Sequence, residues 1–368
     1  MSEVKVVSGE YSYLPIERVH FGPGSISRLA EELDRIKSQR PFVITGQTIA
    51  DKTKLVDTVE KASGRKLAGV FSGVKQHAPI SGIRQAIGEV QRARADSLVS
   101  LGGGSPIDST KVVVKELSEN LAKPTIAHLA IPTTLSAAEF SHSAGMTDDT
   151  TKRKTGVRDP RLAPRLIFLD PKITTDTPSW LWACTGIRSL DHAVESIYSP
   201  KHQPYVDTLA LESITLLFQN LKRSTDSPTE IAPRLACQTA SWMSFAGVQS
   251  VGTGLSHAIG RVIGATWNIP HGITSCLTLA EVMRHQARKY PDRLALIAKA
   301  EGQDLKGLSK DKQAQHAAEQ VAELVKELGL SKRLSDYGIR KDDLPSIARD
   351  ASGPEEYSMA LEVLEAII

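Results

Sequence analysis

Cysteines, aromatic side chains and long apolar runs are scarce in this sequence. The three cysteines, Cys184, Cys237 and Cys276, are odd in number and widely spaced, which excludes a dense disulfide framework. We therefore expect reduced thiols that pack in the core of an intracellular protein. No apolar run approaches the ~18 residues of a membrane span, and the N-terminus lacks the apolar segment of a secretory signal. These absences predict a cytoplasmic protein.

The sequence also lacks an excess of either charge. Lys and Arg number 45 and Asp and Glu number 42, which gives a net charge of +3. Nothing in this balance demands nucleic acid or an anionic membrane as a partner. The length of 368 residues favours two domains, with enough material for two hydrophobic cores.

The apolar pattern changes along the chain. Short apolar runs that end at glycine, proline or aspartate lie at 41–46, 97–102, 125–131 and 166–170, a rhythm typical of parallel strands. Beyond about Lys172 the period becomes helical, and apolar residues in 205–221 recur every three or four positions. We predict an α/β dinucleotide-binding domain with a parallel sheet over 1–171, followed by an all-α domain over 172–368.

A glycine-rich stretch, Gly102–Ser105, follows one predicted strand and precedes a helix-like segment. Glycines let backbone N–H groups approach a pyrophosphate, and a helix N-terminus adds a favourable dipole. A plain strand-to-helix turn is the alternative interpretation. Lys154 adds a cation for phosphate or substrate, unless it is an ordinary exposed lysine. The residues predicted to bind a cofactor are Gly46, Gly102, Gly103, Gly104, Ser105, Asp108, Thr133, Thr134 and Lys154.

Three histidines in the second half form a pattern of the kind that binds metal. Arg188 and His192 are four residues apart, as are His257 and Arg261, so each pair shares one helix face. His271 follows a proline and precedes a glycine, a helix-start signature that can direct its imidazole inward. Three histidines can hold zinc with water in the fourth position. However, each guanidinium repels a cation and attracts a carboxylate.

The sequence resembles the iron-containing (group III) alcohol dehydrogenase family over nearly its whole length. The segments that carry the resemblance are 102–111, 131–134 with Glu139, 169–171, 192–195 and the fourteen-residue spacing from His257 to His271. Within the family, 154–161 is most similar to the maleylacetate reductase branch. The resemblance implies a dehydroquinate synthase-like fold, a nicotinamide cofactor and a homodimer.

Two positions depart from the family pattern. The resemblance implies an aspartate ligand where this chain has Arg188, and a histidine tied to substrate and proton handling where it has Arg261. Asp191 is not expected to replace the missing ligand, because it points roughly 100° away from His192 around a helix. We expect Asp191 to meet solvent or another element, and we expect no metal.

These residues predict a metal-independent NADPH- or NADH-dependent reductase of a small anionic carbonyl compound, such as an oxo-acid resembling maleylacetate. Arg188 and Arg261 are predicted to bind its carboxylate, and His257 or His271 to donate a proton, with His192 beside them. Gly46 carries no acid to repel a 2′-phosphate, so we expect dual cofactor use or a mild NADPH preference. Structural ion pairs are an alternative role for the arginines. Non-redox elimination, decarboxylation or cyclisation in the same cationic cleft, and a silent binding protein, are alternative functions.

Overall fold

A computed structural model describes residues 8–76, 78–119, 126–149 and 154–368. The chain divides into two compact units. The α/β unit contains 14–178 and 227–238, and the helical unit contains 179–226, 239–368 and, among the described N-terminal residues, 8–13.

The α/β unit is organised around a parallel sheet. Its strands are β1 (Arg18–Phe21), β2 (Pro41–Gly46), β3 (Gly69–Val74), β4 (Ser97–Gly102), β5 (Ala127–Pro132), β6 (Ser143–Thr147), β7 (Lys154–Arg158) and β8 (Leu166–Leu169). Six of them form one sheet in the order β1-β8-β5-β4-β2-β3, and each neighbouring pair is parallel. Strands β6 and β7 form a separate antiparallel pair. The carboxyl ends of β2, β4 and β5 therefore lie side by side at one edge of the sheet.

Both faces of the sheet are covered, which explains why its strands are continuously apolar rather than alternating. The helices of this part of the chain are α1 (Leu29–Arg35), α2 (Gln47–Lys52), α3 (Leu55–Ser63), α4 (Ile80–Arg92) and α5 (Gly104–Glu119). Val43 and Val99 belong to one buried cluster, and their neighbours Ile44 and Leu98 belong to a second cluster. Successive side chains of a strand point to opposite faces, so the two clusters are the two sides of the sheet.

The chain beyond the sheet is helical. Its helices are α6 (Ser179–Tyr198), α7 (Pro204–Asp226), α8 (Ile231–Phe245), α9 (Val248–Val251), α10 (Leu255–Thr266), α11 (His271–Lys289), α12 (Pro291–Ala300), α13 (Lys310–Glu327), α14 (Leu344–Ala351) and α15 (Tyr357–Ala366). The predicted stripe on α7 is confirmed, since Val206, Ala210, Ile214, Leu217 and Leu221 are all buried.

The predicted fold class, a parallel α/β domain followed by a helical region, is confirmed. Three short segments lie across the predicted boundary at 171/172, and one of them is 172–178, which belongs to the α/β unit. Tyr11 Oη donates to the carbonyl of Ala246 at 2.7 Å, so residues 8–13 belong to the helical unit. Arg234, which is buried, donates through Nε to Thr174 Oγ1 at 2.7 Å, so 227–238 belong to the α/β unit.

The three cysteines are buried free thiols, as the sequence predicts. Among the helices in the described part of the chain, none combines the length and apolarity needed to cross a bilayer.

Candidate functional site

The glycine-rich loop joins β4 to α5 at the carboxyl edge of the sheet. Gly102 has φ +137°, a conformation that side chains rarely allow. A Cβ on Gly103 would lie 3.0 Å from Thr134 Cγ2, so only glycine leaves this approach relaxed. Gly104 is the first residue of α5. The loop thus presents backbone N–H groups at a helix N-terminus, the arrangement that binds a pyrophosphate.

The two threonines after β5 lie beside this loop. Thr133 N donates to Gly102 O at 3.0 Å. Thr134 Oγ1 is buried and has no hydrogen-bond partner within the described structure. Buried hydroxyls are normally paired, so this atom and the glycine cradle fit a bound polar ligand such as the phosphates of a nicotinamide cofactor.

The other residues predicted to bind a cofactor are more dispersed. Ser105 follows Gly104 in the first turn of α5, and Gly46 ends β2, the strand next to β4. Lys154 begins β7, but its side chain lies outside the described part of the structure. Asp108 Oδ1 accepts from Lys111 Nζ at 3.1 Å.

Lys111 is the functional-site neighbour that the motif analysis missed. Its side chain is fully buried, and Nζ also donates to the carbonyls of Ala138 at 2.7 Å and Ser143 at 2.9 Å. Burial raises the pKa of the adjacent Glu139 to about 7, although Lys111 opposes the rise. Lys111 therefore ties α5 to the segment after β5. The signal in the sequence that could have identified Lys111 is its position one helical turn after Asp108.

In the helical unit, Glu195 of α6 holds the start of α10. Its Oε2 accepts from Gly254 N at 2.5 Å and its Oε1 from Ser256 N at 2.8 Å. These are N–H groups that a helix start leaves unsatisfied, and the helix dipole favours a carboxylate there. Glu195 Oε2 also lies 2.7 Å from Nδ1 of His257. One buried carboxylate thus fixes the start of the helix and lies close to an imidazole.

Asp191 meets other elements of the fold and not solvent, which is one of the two surroundings expected from the sequence. Asp191 is fully buried, and its Oδ2 lies 3.2 Å from His257 Nδ1. It also accepts from the hydroxyls of Ser256 at 2.9 Å and Ser275 at 2.6 Å. The Asp191 side chain does not reach solvent, because α10 and α11 pack against α6 and supply Ser256 and Ser275 as its partners.

The two carboxylates set the protonation of His257. Burial and the charge of Arg188 lower the pKa of His257, but Asp191 and Glu195 outweigh both, so its pKa lies above the ordinary value. Burial, His257 and Arg188 hold the pKa of His192 well below the ordinary value. Only His257 of this pair is therefore suited to carry a proton near neutral pH.

Four buried polar atoms at this point have no hydrogen-bond partner among the described residues. They are His257 Nδ1, His257 Nε2, His192 Nδ1 and Asp191 Oδ1, so the contacts of Nδ1 with the two carboxylates are close ion-pair distances rather than hydrogen bonds. The rings of His192 and His257 are 4.7 Å apart, and Phe245 contacts His192 edge-on at 4.8 Å. Because a buried polar atom without a partner is costly, this cluster indicates a place for a polar ligand or water.

The two arginines differ in exposure. Arg188 is mostly buried; its Nη1 donates to Ser275 Oγ at 3.1 Å and lies 3.8 Å from Asp191 Oδ2. Burial lowers the pKa of Arg188, and nearby Arg261 adds to this effect. Arg261 is exposed and forms no ion pair with the described acidic residues. The ion-pair alternative thus describes part of the surroundings of Arg188 but not those of Arg261.

His271 begins α11, and its recorded neighbour is Gly264 of α10, where an added Cβ would lie 3.4 Å from His271 Nδ1. The group whose ligand-type atoms all lie within 4.8 Å of one another is instead Asp191, Glu195 and His257. Within the described residues, His192, His257 and His271 do not form such a group. Since a metal ion can use the Asp-Glu-His spacing, the expected absence of metal is not confirmed.

Comparison with known proteins places this geometry in a family. A model of the iron-containing alcohol dehydrogenase matches residues 16–171. A second model, of the Fe-containing alcohol dehydrogenase family C-terminal region, matches residues 182–360. Together the two models include the glycine-rich loop and the histidine cluster.

Individual relatives agree with these matches. Maleylacetate reductase 1 of Cupriavidus pinatubonensis is 30% identical over 92% of this chain and 89% of its own length. Lactaldehyde reductase of Escherichia coli (strain K12) is 29% identical over 91% of each chain. The crystal structure of maleylacetate reductase from Agrobacterium tumefaciens shares the fold, with a TM-score of 0.85 and 24% identity over 99% of this chain and 99% of that one. The chain therefore belongs to the iron-containing alcohol dehydrogenase family, close to its maleylacetate reductase branch, and is an NAD(P)-dependent oxidoreductase.

Proposed function

We propose that this chain is a metal-independent NAD(P)H-dependent reductase of an anionic carbonyl compound, an oxo-acid similar to maleylacetate. The charge balance of the buried helical site carries the proposal. Arg188 and protonated His257 supply two positive charges, and Asp191 and Glu195 supply two negative charges. A divalent metal ion on His257 would displace the proton of this imidazole, so the ion and Arg188 would bring three positive charges against two negative ones, and one positive charge would stay uncompensated in this cluster.

The donors around the carboxylates support the same conclusion. Both oxygens of Glu195 accept backbone N–H groups, and Oδ2 of Asp191 accepts two hydroxyl groups. Both carboxylates face the same nitrogen of His257, Nδ1. A cation between Oδ2 of Asp191 and Oε2 of Glu195 would compete with these donors. The Asp-Glu-His group is thus better suited to balance the charge of a protonated imidazole than to hold iron.

The arginines favour an anionic substrate. Arg261 is exposed beside Arg188, whose guanidinium already has Ser275 and Asp191 as neighbours. A guanidinium without an acidic partner offers paired donors to a carboxylate. In this proposal Arg261 binds the substrate carboxylate, and Arg188 adds a second positive charge at short range.

The chemistry needs a hydride and a proton. The glycine-rich loop would hold the nicotinamide cofactor, which would supply the hydride when bound. Nε2 of His257 donates the proton to the carbonyl oxygen as negative charge develops there. His192 stays neutral beside it, since its pKa is far below the ordinary value. His257 then regains a proton from water.

Gly46 bears on the choice between NADPH and NADH. It ends β2, next to the strand that carries the glycine-rich loop, which is the place where an acidic side chain selects the ribose 2′-hydroxyl in dinucleotide-binding folds. Glycine supplies no such acid. We therefore propose dual use of the two cofactors, or a mild preference for NADPH.

Oxidation of NADPH and NADH with a series of oxo-acids and matched neutral aldehydes tests the proposed reaction. Arg261→Ala is expected to raise KM for an oxo-acid about tenfold, a loss of about 1.4 kcal/mol, and to leave KM for the aldehyde unchanged. Arg288→Ala is the control, because Arg288 is exposed in the last turn of the same helix that His271 begins. Equal changes for both substrates would remove the carboxylate role of Arg261, and product without cofactor turnover would favour non-redox chemistry.

A further inference from the structure

Lys111 lies in the second turn of α5, and its ammonium group is enclosed within the α/β unit. The side chain has no exposed area. Nζ donates to Asp108 Oδ1 at 3.1 Å, to the carbonyl of Ala138 at 2.7 Å and to the carbonyl of Ser143 at 2.9 Å. These three acceptors match the three N–H groups of an ammonium. Lys111 therefore has no N–H left for a ligand, and any effect that it has on a bound cofactor is indirect.

The segment that Lys111 holds contains a strained turn. Ala137 is fully buried and has φ +58°, the left-handed conformation that residues other than glycine rarely adopt. It precedes a single 3₁₀ turn, Ala138–Phe140, whose first carbonyl accepts from Lys111. Strained backbone persists only where the surrounding structure enforces it. The hydrogen bond from the ammonium to this carbonyl is one such contact, and the positive charge strengthens it.

Two hydroxyl groups just before this turn lie against the glycine-rich loop. Thr134 Oγ1 would be 3.1 Å from a Cβ on Gly103, and Ser136 Oγ would be 3.4 Å from a Cβ on Gly104, the first residue of α5. Thr134 Oγ1 is buried and has no hydrogen-bond partner among the described residues. The two hydroxyls therefore border the N-terminus of α5, where backbone N–H groups would meet a pyrophosphate.

We infer that Lys111 is the positioning residue of the cofactor site, tying the strained turn at Ala137 to α5 and so holding the hydroxyls of Thr134 and Ser136 beside the glycine-rich loop. Its acceptors come from both sides of this site, since Asp108 belongs to α5 and the two carbonyls belong to the chain after β5. A site that is already ordered loses less conformational freedom when its ligand binds, which raises affinity. This inference rests on the proposed binding of a nicotinamide cofactor at the loop and does not depend on the oxo-acid or on a metal.

Lys111→Met tests the inference through cofactor affinity. Methionine is similar in length but donates to neither carbonyl, so the turn at Ala137 is free to relax to a negative φ. We expect the Kd values for NADPH and NADH, measured by fluorescence titration without substrate, to rise about tenfold or more. Ser136→Ala leaves the buried ammonium intact and should raise both Kd values about threefold, the effect of one lost hydrogen bond. Unchanged Kd values in either variant would overturn the inference.

Rescue by glycine separates positioning from a general loss of stability. Glycine adopts a positive φ without strain, so Ala137→Gly added to Lys111→Met lets the turn keep its native conformation without the ammonium. We expect this double variant to regain about threefold or more of the lost affinity, and Ala137→Gly alone to change the Kd values less than about twofold. A double variant that binds as weakly as Lys111→Met would contradict the role of the strained turn.

Glu32 provides a matched control in the same unit. Its carboxylate is fully buried and also has three partners, Arg18 Nη1 at 2.8 Å, His20 Nε2 at 2.9 Å and Arg35 Nε at 2.6 Å, which lie on β1 and α1. Glu32→Met should lower the unfolding midpoint, as Lys111→Met does, but leave both Kd values within about twofold of the native ones. A rise in Kd as large as that of Lys111→Met would overturn the inference.

The titrations also separate this inference from the proposed reaction. The expected pattern of Kd values, without reduction of any oxo-acid, would support the positioning role of Lys111 and place the failure in the proposed function. Reduction of oxo-acids by a native enzyme whose cofactor affinity does not change in Lys111→Met would overturn the positioning role alone.

Discussion

The α/β unit and the helical unit build their candidate sites from different parts of the chain. The cofactor loop offers backbone N–H groups, and its glycines at 102–104 are there to let the main chain come close. The helical site offers buried side chains of both charges, held by α6, α10 and α11. A site made of backbone N–H groups requires space for the ligand to approach the main chain, whereas a site made of buried charged side chains requires equal positive and negative charge. Substitutions should therefore fail in different ways in the two units.

The largest effect is expected where charge balance is removed. In Arg188→Met, Asp191 and Glu195 would face one cation instead of two. Leaving a buried charge uncompensated costs about 3–5 kcal/mol, so the free energy of unfolding in urea should fall by that amount near neutral pH. Arg261→Met is the control, because Arg261 is exposed, and it should change stability by less than about 0.5 kcal/mol. An unchanged free energy of unfolding in Arg188→Met would contradict the claim that Arg188 compensates the charge of the buried carboxylates.

Backbone room also matters inside the helical unit, where α11 crosses α6. A Cβ on Gly272 would lie 2.7 Å from Cys184 C, O and Sγ, and the backbone atoms cannot swing aside. Gly272→Ala should therefore destabilise the protein by about 2–4 kcal/mol, the range of overpacking and backbone shifts. Gly88→Ala on α4, where a Cβ meets nothing within 4 Å, should instead stabilise by about 0.5–1 kcal/mol. Thermal unfolding of the pair measures the difference.

Glu139→Gln tests the buried acid of the α/β unit. Its pKa is raised to about 7 by burial, so the folded state binds a proton more tightly than the unfolded state. The stability that this proton contributes is complete below about pH 4.5 and is lost as pH rises toward and through 7. The variant should match the native protein at pH 4.5 and be more stable by on the order of 2–3 kcal/mol above pH 7. Urea unfolding of both proteins across this pH range measures the difference. If the free energies of unfolding of the two proteins changed in parallel with pH, the raised pKa of Glu139 would be contradicted.

The smallest effect is expected at the cofactor loop, because one neighbour can move by a few tenths of an ångström. Gly103→Ala places a Cβ 3.0 Å from Thr134 Cγ2 and should weaken cofactor binding about tenfold, or about 1.4 kcal/mol. The double variant Gly103→Ala with Thr134→Ser removes that methyl group and should recover much of the affinity. Fluorescence titration with NADPH and NADH measures both. Unchanged affinity in the single variant would show that the loop does not approach the cofactor there.

The sequence predicted features that depend on neighbouring residues better than features that depend on distant parts of the chain. Strands β2 and β4 were predicted with their observed bounds, because apolar runs and terminal glycines are local signals. Strands β1 and β3 were missed, since β1 alternates Arg18 and His20 with apolar residues and β3 contains two glycines, so neither is a continuous apolar run. The sequence left open whether Asp191 meets solvent or another element, because its partners Ser256 and Ser275 lie more than sixty residues later in the chain. Helical spacing gives a side chain's direction, but only packing decides what it meets.

Metal content of the purified native protein, measured by plasma mass spectrometry together with oxo-acid reduction before and after chelator treatment, tests the central claim most directly. The charge-balanced site predicts far less than one zinc or iron ion per chain and full reductase activity after chelation. One tightly held ion per chain, with activity lost on its removal and regained on its return, would contradict the account. In that case His257 would serve a cation rather than donate a proton.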